Sequence, residues 1–169
     1  MNIFPIFTLT PLALLTVNIL AWGFIHISLS LLLASLPLRW FKNDSHLYQS
    51  KKWEKNGELW QWLVKVRQWK HKIPDGKHII SKGYEKQNLQ GVSLSDLEVF
   101  LYESRRAELT HWLSIPPACL FFIWNPIWAG WVMIAYALIF NLPIIIVQRY
   151  NRPRLIRLIA LKKCRKTVY

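Results

Sequence analysis

Residues 127 to 147 read IWAGWVMIAYALIFNLPIIIV, and residues 148 to 155 follow at once as QRYNRPRL. The first piece is uncharged and mostly apolar. At about 1.5 Å per residue it would make a helix some 30 Å long, the thickness of a bilayer's hydrocarbon core. Pro143 removes one helix hydrogen bond and predicts a kink there. Where the apolar run stops, Arg149, Arg152 and Arg154 crowd together with Gln148, Tyr150 and Asn151. Such a box is either the charged flank that anchors a span or the wall of a binding site. Pro153 would turn the chain or open a surface helix at its first position.

Upstream, WLSIPPACLFFIW (residues 112–124) ends at Asn125-Pro126. It is short and carries Pro116-Pro117, so it is a span completed by Leu109 to His111 or a re-entrant segment. Residues 112–147 thus read as a membrane hairpin with a break near 125–126. Near the N-terminus, residues 11–36 (PLALLTVNILAWGFIHISLSLLLASL) are long enough to cross a bilayer. MNIFPIFTLT ahead of them has no basic side chain, which favours a retained span over a signal peptide.

Charge is segregated along the 169 residues. There is none in residues 1–38 or 112–148, whereas 39–111 hold 14 Lys/Arg and all 9 Asp/Glu, and 149–169 carry 8 Lys/Arg and no acid. A net charge of +13 beside 53% apolar residues and 10 Trp points to an anionic lipid surface or a polyanionic ligand. Uncharged stretches of this length argue against nucleic acid. If both halves of 112–147 cross, the middle region and the tail share one side, and the positive-inside tendency makes it cytoplasmic. If only the second half crosses, they lie on opposite sides. The sequence therefore predicts one all-α integral membrane domain over 1–169. It would have about three membrane segments, a basic helical interfacial middle region at 39–111 and a basic cytoplasmic tail at 148–169. It would sit in the cell membrane as a multi-pass protein. Cys119, in an apolar run, and Cys164, in the tail, do not suggest a disulfide.

Within the middle region, GELWQWLVKVRQWK (57–70) follows an Asn56-Gly57 turn signal. Leu59, Trp62, Leu63 and Val66 fall at helical spacing on one face. That face suits either the bilayer interface or the core of a small cytosolic subdomain. In WKHKIPDG (69–76), His71 and Asp75 flank a turn at Pro74-Asp75-Gly76. A histidine beside a carboxylate is the pair needed to deprotonate a hydroxyl; alternatively, Asp75 only serves the turn and His71 the surface.

Residues 95–112 (SDLEVFLYESRRAELTHW) predict a helix with a capping box, Ser95 as N-cap and Glu98 at the third position. One face carries Leu97, Leu101, Ser104, Glu108 and His111, apolar at first and polar where the chain nears the membrane. Glu108 and His111, three apart, form a second candidate acid–base pair, with Glu103, Arg105 and Arg106 on adjacent faces. Glu108-x-x-His111 also looks like half of a di-iron site, but no second copy exists, so no metal is expected. In the tail, leucines and isoleucines interleaved with cations after Pro153 suit a helix on an anionic leaflet. Internal repeats, a glycine-rich phosphate loop, zinc-ligand spacing and a nucleophile elbow are all absent.

Three stretches taken together, VRQWKHKIPDG (66–76), ESRRAELTHW (103–112) and NLPIIIVQRYNRPRL (141–155), resemble the glycosyl-4,4'-diaponeurosporenoate acyltransferases of staphyloxanthin-type carotenoid biosynthesis. The resemblance runs from about Trp53 to Lys166. It implies transfer of a fatty acyl group onto the sugar hydroxyl of a carotenoid glycosyl ester. Such a transfer needs a base, donors for the oxyanion and a place for the acyl carrier. No serine or cysteine carries the signature of a covalent acyl-enzyme. The expectation is direct attack on an acyl thioester such as acyl-CoA, a co-substrate rather than a bound cofactor. His111 with Glu108 would be the base, or His71 with Asp75. Arg105, Arg106, Glu103, Gln148, Arg149, Tyr150, Asn151 and Arg152 would wall the substrate site, since a guanidinium fork fits phosphate. Expected partners are anionic lipid, the carotenoid glycoside and other pigment-biosynthesis enzymes. A scaffold that presents substrate to such enzymes is the alternative.

Overall fold

The computed structural model describes residues 5–6, 8–43, 45–73 and 93–167. Among them every regular element is helical, and there is no strand. The α-helices are α1 (Pro11–Ser35), α2 (Glu58–Val64), α3 (Val66–Trp69), α4 (Leu94–Leu113) and α5 (Ile127–Thr167), with short 3-10 segments between them. The chain packs as two compact units, Met1–Pro37 with Arg106–Ile145, and Leu38–Arg105 with Ile146–Tyr169. Asp75 and the turn at 74–76 lie outside the described residues.

In the first unit, α1 starts where Thr10 Oγ1 accepts from the Ala13 N–H at 3.4 Å and Pro11 fills the first turn. It stops at Leu36, held extended by the proline that follows. The polar positions of α1 are tied into the unit. Asn18 Oδ1 accepts from Trp124 Nε1 at 2.8 Å and from Asn125 Nδ2 at 2.9 Å, and Asn18 Nδ2 donates back to Asn125 Oδ1 at 3.0 Å. A reciprocal amide pair satisfies both side chains in apolar surroundings, where an unmet polar group is costly. Around it Trp22, Ala118, Phe121 and Ala137 form the core.

The segment 112–124 is not a helix of spanning length. α4 ends at Leu113, and Pro116–Ile123 is a 3-10 helix of eight residues, about 16 Å long at 2.0 Å per residue. Among the described residues two helices are long and apolar enough to cross a membrane, α1 and the first part of α5. α5 has 41 residues and runs without interruption through Pro143 and Pro153. Pro153 therefore neither turns the chain nor starts a helix. The carbonyl its ring leaves without an intrahelical partner belongs to Arg149, four residues back. Gly57 closes against that spot. A Cβ on it would stand 3.2 Å from the Arg149 oxygen and 3.1 Å from that of Tyr150.

In the second unit, α4 begins two residues earlier than its sequence signal. Ser93, not Ser95, caps it, with Ser93 Oγ accepting from the Asp96 N–H at 3.1 Å. Glu98 instead pairs with Lys163 at 2.7 Å. The predicted face of α4 holds: Leu97, Leu101, Ser104 and Glu108 are buried and His111 is half-buried. Leu97 and Leu101 pack with Leu155 and Ile159 of α5.

The continuous helix predicted over 57–70 is broken at Lys65, which is left-handed (φ 48°, ψ 48°). The backbone groups freed by the break find side-chain partners. Gln61 Oε1 accepts from the Arg67 N–H at 3.0 Å, and Trp69 Nε1 donates to the Val64 carbonyl at 2.7 Å. The predicted stripe dissolves as a result: Val66 is fully buried, whereas Trp62 is 78% exposed and Leu63 52%. Val66 packs with Val147 and Tyr150, flanked by Trp60 and Trp69. The turn at Asn56-Gly57 is real, with Lys55, Asn56 and Gly57 all at positive φ.

Candidate active site

The candidate residues fall into two groups, one in each unit. In the first unit, α4 carries Glu108 and His111 one turn apart, and α5 supplies Asn141. His111 Nδ1 lies 2.8 Å from Asn141 Oδ1. The Asn141 amide is oriented by its other end, since Nδ2 donates to the Ala137 carbonyl one turn back at 2.7 Å. Its oxygen must therefore face the imidazole as an acceptor, so Nδ1 carries the proton and Nε2 keeps its lone pair. An imidazole fixed in this tautomer is set to take a proton at Nε2. Asn141 is almost wholly buried.

Glu108 is fully buried, and its Oε1 accepts from Trp112 Nε1 at 3.2 Å. The hydrogen bond that sets the His111 tautomer thus comes from Asn141, a residue the sequence did not single out. Its signal was an amide in an apolar run, since polar groups at membrane depth are rare and usually functional. His26 of α1, also passed over, stacks on Trp22 at 5.3 Å between ring centroids. Arg106 Nη1 donates to the Ala34 carbonyl at 3.1 Å.

The second unit gathers the QRYNRPRL residues, and Gln148 to Arg152 are each engaged with the segments at 38–73 or with α4. Gln148 Oε1 accepts from Ser104 Oγ at 2.7 Å. Arg149 forms an ion pair with Glu54 at 3.0 Å and donates to the Leu47 carbonyl at 2.8 Å. Tyr150 accepts at its hydroxyl from Arg67 Nε at 2.8 Å, and Asn151 Oδ1 from Lys70 Nζ at 3.1 Å. Arg152 donates to the Tyr48 carbonyl at 3.1 Å. On α4, Arg105 Nη1 donates to the carbonyls of Phe41 and Lys42 at 2.9 and 2.8 Å. Burial, and secondarily Arg152, lower the Arg105 guanidinium's pKa from its ordinary value; a guanidinium stays charged even so. Glu103, also on α4, is half-buried.

Beside these arginines lies a cavity of 270 Å³ lined by Tyr48, Glu54, Arg149, Arg152, Ile156 and Arg157, among others. His71 is exposed in a 3-10 turn, Lys70–Lys72. The described residues hold no group of three metal-ligating side chains.

Residues 44–161 match the family model of glycosyl-4,4'-diaponeurosporenoate acyltransferase. The chain belongs to this family. A protein of that name from Staphylococcus aureus strain MRSA252 is 38% identical over 144 residues, covering 85% of this chain and 87% of its own. The proteins of strains USA300 and Newman, under the same name, are 38% and 37% identical. No solved structure matches the chain with significance. As a member of the family the protein is an acyltransferase. Its matched region contains Glu108, His111, Asn141 and the whole of the QRYNRPRL box.

Proposed function

We propose that this acyltransferase moves a fatty acyl group from an acyl thioester, such as acyl-CoA, to a sugar hydroxyl of a glycosylated C30 carotenoid at a membrane. The observation that carries the mechanism is the His111–Asn141 hydrogen bond. Nε2 of His111 takes the proton of the sugar hydroxyl as its oxygen attacks the thioester carbonyl. The tetrahedral intermediate collapses, the C–S bond breaks, and the departing thiolate takes the proton back from the imidazolium. Ester and thiol leave, and the enzyme is unchanged. Cys119 and Cys164 are free and exposed, and neither is required as an acyl carrier. His71 is the weaker candidate for the base, since among the described residues its exposed turn has no comparable orienting bond.

A membrane setting is supported by α1 and the apolar part of α5. Residues 38–105 and 146–169 pack as one unit, which supports a shared side of the bilayer for the middle region and the tail. Residues 106–145 would then enter and return on that side, and the excess of Lys/Arg on both flanks makes it the cytoplasmic one. A soluble thioester would reach that face. In this reading Arg105, Arg149 and Arg152 serve the substrate by holding the shape of the unit that receives it, because they donate hydrogen bonds to protein acceptors.

The test is expression in a host that makes the glycosylated carotenoid, followed by mass spectrometry of the pigment. A fatty acyl increment on the sugar is the expected result. Unmodified pigment in cells that contain the protein would overturn the assignment.

A further inference from the structure

Tyr150 is 1% exposed, yet three cations converge on it. The Arg154 guanidinium stacks 3.8 Å from the ring centroid and also donates to the Tyr150 carbonyl. Lys70 Nζ stands 5.0 Å from the same centroid. Arg67 reaches the hydroxyl through Nε at 2.8 Å. Arg67 is exposed, and Arg154 and Lys70, which also donates to Asn151 Oδ1 at 3.1 Å, are half-buried. Neither Arg67 nor Arg154 has an ion-pair partner among the described residues.

Assembling like charges is unfavourable unless something compensates. The ring face supplies part of that compensation through its negative quadrupole. The same quadrupole repels anions, so the tyrosine orders the cations without competing for what they bind. Two guanidinium forks and an ammonium held this way match the charge and the several acceptor oxygens of a phosphate group, better than they match a single carboxylate. The local sequence serves this arrangement. The left-handed break at Lys65 turns the chain so that Val66 packs beneath Tyr150, leaving Arg67 and Lys70 beside it. Arg154 follows Tyr150 by one helical turn. We infer that Arg67, Lys70 and Arg154, organised by Tyr150, form a binding site for a phosphate group, carried by a soluble phosphate ester or by a lipid headgroup. The site does not depend on His111 being the base.

The experiment uses the full-length protein in phosphatidylcholine nanodiscs with two probes. Coenzyme A is measured by equilibrium dialysis, and retention of phosphatidylglycerol over phosphatidylcholine by native mass spectrometry. Binding of either probe should weaken at least about tenfold in Arg67→Gln/Arg154→Gln, from the loss of two charge-assisted contacts. It should weaken a few-fold in Tyr150→Phe, which keeps the buried ring and releases only Arg67. Lys162→Gln/Arg165→Gln, with the same loss of charge in the tail, should change it less than about twofold. Coenzyme A as the binding probe identifies a soluble source, and phosphatidylglycerol a lipid one. Binding of neither by the parent protein overturns the site. So does parent-like binding by both Arg67→Gln/Arg154→Gln and Tyr150→Phe, or equal weakening in the tail variant.

Discussion

Asn141 Oδ1 accepts from His111 Nδ1 across 2.8 Å, and the same amide is fixed at its other end by the Ala137 carbonyl. The pair links a helix rich in charged residues to one that is apolar at that point, and it decides which imidazole nitrogen can act as a base. Replacing Asn141 by Leu frees the ring to flip and to change tautomer. The rate should fall about ten- to hundredfold, the range known for partners that orient metal-ligating histidines. The measurement is initial acylation rate at saturating acceptor, where kcat should drop more than KM rises.

Asn141→Asp keeps an acceptor at the same place and adds a negative charge. The carboxylate stabilises the imidazolium, so His111 becomes more basic. The rate of a neutral base falls as pH drops through its pKa, and this acid limb should therefore move to higher pH in the variant. A pH–rate profile reads the shift directly, and a purely structural role for Asn141 would leave the limb where it was.

The Glu54–Arg149 pair should matter for stability rather than chemistry. Glu54 is buried and accepts from the Lys51 N–H at 2.7 Å, from Trp60 Nε1 at 3.2 Å and from Arg149 at 3.0 Å. Glu54→Ala strands three donors, one of them a guanidinium, and should cost about 3 kcal/mol. Glu54→Leu combined with Arg149→Met, which removes both charges, should cost less than Glu54→Ala alone. A thermal melting series in one detergent compares the variants.

Gly57→Ala meets two obstacles at once. Its φ of 86° is strained for any side chain, and the new Cβ would press on backbone atoms of Arg149 and Tyr150 at 3.1 to 3.2 Å. A loss of about 1–3 kcal/mol is expected, visible as a lower melting temperature with little change in KM.

The membrane-length helices were legible because runs of about twenty uncharged residues have few other uses. The buried face of α4 was legible because Leu97, Leu101, Ser104 and Glu108 keep helical period. What pattern could not show were the individual hydrogen-bond partners that settle each local choice. Lys65 breaks a helix because Gln61 and Trp69 satisfy the freed groups, and nothing in spacing announces that. Two serines stand at the start of α4, each with an acid three residues on; Ser93 is the cap, while Glu98 is drawn off by Lys163. The acceptors of Arg149 and Arg152, the carbonyls of Leu47 and Tyr48, could not be read from the sequence because a backbone carbonyl leaves no trace in residue identity. Asn141 was overlooked for the same reason, since a single amide in an apolar run names no partner.

The most direct measurement of the central claim is the acylated fraction of pigment in cells that make the glycosylated carotenoid and carry His111→Gln at parental protein level. Glutamine can still bond to Asn141 but cannot accept the hydroxyl proton. Acylation should fall about 10²- to 10⁴-fold, the worth of a general base. Acylation at the parental rate would contradict the account.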